Sequence, residues 1–280
     1  MRVRRAVLAL SIAAIAGGVV PAAAAHPRPQ RATVVVEEVS IPVPGQEPLS
    51  AYLVRPDRDG KRSRHAGVLY LHWFEPGHTS ADRDEFLPEA IALAQRGVVS
   101  VLPQQRFPWT GDPVGDERDL AAVTGTVDAT RASFNYLARQ DGVDRRRLAI
   151  VGHDYGAMYG MVVADTNERV AAAVFLAADA RWANWFNLFW LGLEGDAEAQ
   201  YFALYSGLDP VDHVGRLGER QLFQWAANDF FIPAAIRDQF ATAAPTSPVR
   251  TYDGVNHSLD LNTAEADRIA FLTDQLDLPG

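Results

Sequence analysis

The chain of 280 residues predicts an α/β fold, with a mostly parallel sheet covered by helices on both faces. Two observations carry that expectation. Short apolar runs without polar alternation recur along the chain, as strands buried on both faces require. Between them lie segments with apolar residues at helical spacing, and strands that alternate with helices pair in parallel through crossover connections. A third observation places a site on this sheet. Gly152-His153-Asp154-Tyr155-Gly156 stands between an apolar run and a small-residue helix, and active sites on such sheets sit at the carboxyl ends of the strands.

The amino terminus sets the context. Arg2, Arg4 and Arg5 precede an apolar run from Ala6 to Val20, then Pro21 and an alanine-rich stretch ending near Ala25, the pattern of a signal peptide. The run is shorter than the ~20 residues that span a bilayer, so cleavage is expected rather than anchoring. Residues 26–280 then form a single secreted or periplasmic domain with no stable membrane insertion. The Arg4-Arg5 pair leaves the twin-arginine export route open. Removing residues 1–25 deletes three arginines and no acids, which moves the formal charge from −9 to −12. An acidic protein is a poor partner for nucleic acid. The chain has no cysteine, which excludes disulfides, thiol catalysis and cysteine-ligated metals.

The elements follow in order. Residues 26–31 are a polar leader, and 33–43 and 49–55 read as a hairpin of two strands joined by Pro44-Gly45. Residues 68–71 form a buried strand. A helix over 84–96 carries Leu87, Ile91 and Ala94 on one face and stops at Gly97, before a strand over 98–102. Leu120, Val123, Val127, Phe134 and Leu137 mark a longer helix, which leads to the strand 147–151 before the glycine-flanked motif. A helix over 157–164, strands over 170–177, 222–227 and 249–252, and a last helix over 263–276 complete the pattern.

In Gly152-His153-Asp154-Tyr155-Gly156 the glycines remove side chains where a strand-turn-helix corner brings backbones together. Such a corner holds its central side chain exposed above the sheet. Asp229 follows the strand at 222–227 and His257 follows the last strand, so all three polar residues fall on one edge of the sheet. The chain order of nucleophile, acid and histidine is that of the α/β-hydrolase triad. Nearly the whole mature chain resembles the α/β-hydrolase superfamily, and within it the dienelactone hydrolase and related esterase group. The resemblance rests on the glycine-flanked motif, on Ala227-Asn228-Asp229-Phe230-Phe231-Ile232-Pro233, and on His257 before a final helix. Serine or cysteine is the usual nucleophile in those esterases. An aspartate at this position is similar instead to the haloalkane dehalogenase and epoxide hydrolase branches.

That substitution changes the chemistry. A carboxylate attacking an ester must form a mixed anhydride, whereas attack on a saturated carbon bearing a halide, or on an epoxide, gives an ordinary alkyl ester. In this scheme Asp154 is the nucleophile, ionised at neutral pH by its ordinary pKa. His257 is the base that activates water, and Asp229 orients it. Asp179, just after the strand at 170–177, is the rival acid, at a position that some of the dehalogenase branch use.

The resemblance implies an oxyanion hole made by the backbone N–H of Tyr155 and one from the loop His72-Trp73-Phe74-Glu75-Pro76-Gly77-His78, assigned here to Trp73. Many relatives have glycine where Trp73 stands, so Trp73 is also expected to wall the pocket or to donate its indole N–H to a leaving halide. His72 is expected to be structural, and His78 and Glu75 to be solvated loop residues. Residues 179–218 are rich in aromatics and read as a small helical lid over the site. Trp185, Tyr201 and Tyr205 are its expected contacts to a small apolar substrate. Tyr201 and Tyr205, four residues apart, share a helix face, which resembles the lid tyrosine pair of epoxide hydrolases. His153-Asp154, and His213 with Asp209 and Asp212, lack the spacing of a zinc site. No phosphate loop or dinucleotide fingerprint is present, so no metal or cofactor is expected. Three functions follow from these residues: an exported hydrolase with a covalent Asp154 alkyl ester acting on a halogenated or epoxide compound, a dienelactone hydrolase-like esterase or lactonase with Asp154 as a base, and a binding protein of the same fold.

Overall fold

A computed structural model describes residues 33–57, 64–75 and 81–279. The proposed signal peptide, the leader at 26–31 and His78 lie outside these residues. Eight strands form one sheet: β1 Val34–Ile41, β2 Leu49–Pro56, β3 His65–Leu71, β4 Val99–Pro103, β5 Val143–His153, β6 Val170–Leu176, β7 Gln221–Ala226 and β8 Val249–Tyr252. Their spatial order is β1-β2-β4-β3-β5-β6-β7-β8, antiparallel from β1 to β4 through β2 and parallel from β4 to β8. The hairpin expected at the start of the sheet is therefore its antiparallel edge.

The central strands explain the apolar runs. Every residue of β3, β4 and β7 is buried, because helices cover both sides. The helices are α1 Leu87–Ala94, α2 Glu117–Leu137, α3 Tyr155–Asp165, α4 Trp182–Phe186, α5 Gly195–Leu204, α6 Ala234–Ala243 and α7 Asn262–Gln275. Strand alternation sorts them by face. A Cβ on Gly67 would lie 3.2 Å from Leu137 of α2, and one on Gly160 of α3 would meet Leu71 at 3.3 Å, so α2 and α3 share the face of Gly67 and Leu71. Tyr70 points the other way and donates to Glu89 of α1 at 3.0 Å.

On that second face Arg268 of α7 grips Glu89 through Nε at 3.0 Å and Nη2 at 2.5 Å, and donates to Gln224 of β7 at 3.1 Å. Both charges are buried, so removing either partner would leave the other uncompensated, at a cost of about 3–5 kcal/mol. α1 starts at Leu87, three residues after the expected start, because residues 81–86 form turns instead. That shift turns Glu85 inward. Among the described residues no helix is long and apolar enough to cross a membrane.

Candidate active site

β5 ends at His153 and α3 begins at Tyr155, so Asp154 alone makes the corner, with φ 56° and ψ −125°. A non-glycine residue in such a region stores about 1–3 kcal/mol of strain. The flanking glycines are steric requirements. A Cβ on Gly152 would lie 2.6 Å from the Ala157 Cα, and one on Gly156 would collide with the carbonyl oxygens of Leu71 and His72. Asp154 is buried, and its two oxygens differ. Oδ2 accepts the backbone N–H of Phe74 at 2.8 Å, and the Tyr155 N–H also donates to the carboxylate. Oδ1 is buried with no partner among the described residues. Burial pushes the Asp154 pKa well above the carboxylate range, and the Phe74 and Tyr155 N–H groups oppose that rise. The ordinary value assumed from the sequence therefore does not apply to this carboxyl.

His257, also buried, places Nδ1 2.9 Å from Asp229 Oδ2. The N–H groups of Phe231 and Ile232 hold the other Asp229 oxygen at 2.8 and 3.1 Å. The His257 hydrogen bond and charge, helped by the Phe231 and Ile232 N–H groups, keep the Asp229 carboxyl low against its burial, and burial in turn lowers the His257 pKa. A carboxylate on Nδ1 fixes that hydrogen there and leaves Nε2 as the basic atom. Asp179 is committed elsewhere: it accepts from Arg181 N at 2.9 Å and Asn184 Nδ2 at 2.5 Å, with burial raising its pKa to about 7.

A second carboxylate and imidazole pair stands beside the first. His153 Nδ1 lies 2.7 Å from Glu85 Oε1, and His153 Nε2 donates to the carbonyl of His257 at 3.0 Å. Glu85 Oε2 accepts the Trp73 N–H at 2.8 Å. This corrects the assignment of the oxyanion hole. The Trp73 N–H is taken by Glu85, and the next peptide, Phe74, faces Asp154. His72 is neutral and structural in its contacts: Nδ1 donates to the Trp73 carbonyl at 3.0 Å, Nε2 accepts from Gln105 N at 2.9 Å, and burial lowers its pKa to about 3. The Trp73 ring stacks on His153 at 5.2 Å and lies 6.3 Å from the His257 ring, so it walls the site. Glu85, His153 and Phe74 were not picked out as site residues by sequence. Glu85 read as part of a helix, and its partners are 12 and 68 residues away.

Residues 179–218, which the sequence reads as a lid, comprise α4, a π-helical turn at Asn187–Leu191, α5 and a 3-10 turn at Pro210–His213. Trp185 lies 5.7 Å from His257 and 4.7 Å from Tyr155, ring to ring. The Trp185 indole N–H and the Tyr155 hydroxyl are buried donors without a partner among the described residues. Tyr201 and Tyr205 do share a helix face, but their hydroxyls do not point to the reacting groups as expected. Tyr201 donates to Asp119 at 2.7 Å, which leaves Tyr205 to donate to Tyr201 at 3.2 Å. Asp119 also accepts the N–H groups of Val114 and Gly115, so the pair fastens α5 to the start of α2.

Comparisons with known proteins bear on the fold. No protein-family model matches the sequence, and no curated protein matches it. Solved structures do. An acetyl xylan esterase from Paenibacillus sp. R4 superposes with a TM-score of 0.70 at 14% identity, over 90% of this chain and 87% of that one. A dienelactone hydrolase-like protein from Klebsiella pneumoniae gives 0.62 at 18% identity, over 87% and 98%. A thermophilic esterase from Thermogutta terrifontis gives 0.62 at 16%, over 85% and 94%. The chain has the α/β-hydrolase fold that these structures share.

Proposed function

We propose that this protein is a hydrolase that forms an alkyl ester on Asp154 and cleaves it with water activated by His257. One observation carries the reading: the asymmetry of the Asp154 carboxylate. Oδ2 lies on the backbone N–H of Phe74, and the Tyr155 N–H faces the same carboxyl, two donors that an esterase would offer to its substrate's carbonyl, while Oδ1 has no partner among the described residues. An ester carbonyl has no place on donors already held by Oδ2. A saturated carbon needs no such place.

The steps balance. Oδ1 attacks the carbon as its bond to a halide, or to an epoxide oxygen, breaks and the electron pair leaves with that group. The Trp185 N–H, on a ring 5.7 Å from His257, and the Tyr155 O–H, on a ring 4.7 Å from Trp185, are without a partner among the described residues and are the donors available to the charge that develops on it. His257 Nε2 then takes a proton from water, and the hydroxide adds to the Asp154 carbonyl carbon. The negative charge of that intermediate falls on Oδ2, where Phe74 and Tyr155 stabilise it. Collapse expels the alkoxide, which takes the proton from His257; the remaining proton of the added hydroxide goes to solvent beside the halide, or to the alkoxide left by epoxide opening, and Asp154 returns carrying one oxygen from water.

That last atom supplies the test. After one turnover of a terminal epoxide or alkyl halide in heavy-oxygen water, the peptide containing Asp154 gains one heavy oxygen, and His257→Gln accumulates the ester as a mass adduct. Label in the product and none in Asp154 overturns the reading. The esterase neighbours support a second reading, an ester or lactone substrate with Asp154 as base on water. Hydrolysis of aryl esters by the native protein without a covalent adduct selects it. Export after cleavage of residues 1–25 remains part of the proposal, checked by the amino-terminal sequence of protein recovered outside the cytoplasm.

A further inference from the structure

The described surface has few exposed large apolar side chains; two of them, Phe189 and Phe230, join the site through ring contacts, and a third, Leu188, is next to Phe189 in sequence. Phe230 is 85% exposed, Leu188 65% and Phe189 41%, whereas Val36, Val114 and Val249 lie on separate elements. Two of the three continue inward through ring contacts. Phe230 meets Phe231 at 5.4 Å, Phe231 meets the His257 ring at 5.0 Å, and Phe189 touches Phe231 at 5.4 Å. Phe189 also meets Trp185 at 6.2 Å, and Trp185 stands over His257. Leu188 and Phe189 are adjacent on the π-helical turn Asn187–Leu191, a form of helix found mostly as single turns near functional sites. A series of aromatic contacts therefore connects the exposed rim with His257.

Its size and charge narrow what it holds. The three side chains expose on the order of 300–400 Å², within the range of a functional patch on a monomer but well short of the ~800 Å² per partner of a stable protein interface. A formal charge of −9 opposes docking on anionic lipid or nucleic acid. We infer that this rim is a subsite for an apolar arm of the substrate: an alkyl or aryl chain attached to the reacting carbon leaves the site along Phe231 and lies against Phe189, Leu188 and Phe230. This rests on the proposed function for the identity of the reacting carbon, but the contact itself needs no turnover.

The experiment separates the two. Binding of straight-chain primary alcohols from butanol to decanol, the products of the proposed reaction, is followed by tryptophan emission in the native protein and in Phe230→Ser and Leu188→Ser. Affinity is expected to rise about fourfold per added methylene in the native protein. In both variants the gain is expected to flatten for the longer chains, with butanol affinity and thermal midpoint unchanged. The same break should appear in kcat/KM for the matching 1-haloalkanes, with kcat for the shortest unaltered. Chain-length dependence that survives both substitutions overturns the subsite, as does a change of oligomeric state in Phe230→Ser, which would make the rim an interface. Alcohol binding that behaves as expected without turnover of haloalkanes or epoxides retains the subsite and rejects only the alkyl-ester reading.

Discussion

Two carboxylate and imidazole pairs lie side by side in this site, with the rings of His153 and His257 5.6 Å apart. Their chemistry is the same and their connections differ. In the Asp229–His257 pair the carboxylate takes Nδ1 and leaves Nε2 to act on water. In the Glu85–His153 pair both ring nitrogens face acceptors, Glu85 on one side and the His257 carbonyl on the other. A histidine with a partner on each ring nitrogen has neither one free to work on water. It ties three segments together instead: the loop at Trp73, the corner at Asp154 and the loop of His257. A buried histidine near a carboxylate is a base only when one nitrogen is left over.

The same carboxylate-to-amide change should therefore have very different effects at the two pairs. Asp229→Asn removes the charge that fixes the His257 tautomer, and kcat should fall by about 10⁴-fold in single-turnover assays. Glu85→Ala, which frees the Trp73 N–H and His153, should lower kcat by about 100-fold through misplacement of the Phe74 donor, with the adduct rate falling alongside. Glu85→Gln can accept from Trp73 and donate to His153 Nδ1, so kcat should change by less than about 10-fold. A loss at Glu85→Gln as deep as that at Asp229→Asn would remove the distinction between the pairs.

Smaller effects concern pH and stability. The proposed reaction requires Asp154 ionised and His257 neutral. Because burial raises Asp154, the acid limb of kcat/KM should lie well above the ordinary aspartate value of about 3.9, and a limb at that value would contradict the burial argument. The sign for stability follows. A carboxyl whose folded pKa exceeds its unfolded one destabilises the fold once pH rises above the unfolded value, because the folded chain then buries a charge or holds an unfavourable proton. Asp154→Asn should raise the thermal midpoint at pH 7 by about 2–4 °C for each kcal/mol regained, and the gain should vanish below about pH 4. An unchanged midpoint at pH 7 would mean that the Phe74 and Tyr155 donors fully offset the burial.

What was legible in the sequence was local. Strand ends and the glycine-flanked corner place Asp154, Asp229 and His257 on one edge, because each follows an apolar run directly and needs no long-range geometry. The donor opposite Asp154 was misread by one residue, Trp73 for Phe74, since a spacing rule does not say which peptide of an irregular loop turns its N–H toward the corner. Glu85 was hidden by an expected helix start at 84 that the structure moves to Leu87. Tyr201 carried a correct helix face and an unforeseen partner, because Asp119 is 82 residues away in sequence.

The shape of the corner is set by Gly152, Gly156 and the carbonyls of Leu71 and His72, none of which touches the Asp154 carboxylate. The reagent is thus interchangeable without rebuilding the scaffold. Asp154→Ser would retain the backbone turn and vacate the Phe74 and Tyr155 N–H groups for an incoming carbonyl, so a single exchange of reagent on this scaffold would separate the proposed alkyl transfer from acyl transfer.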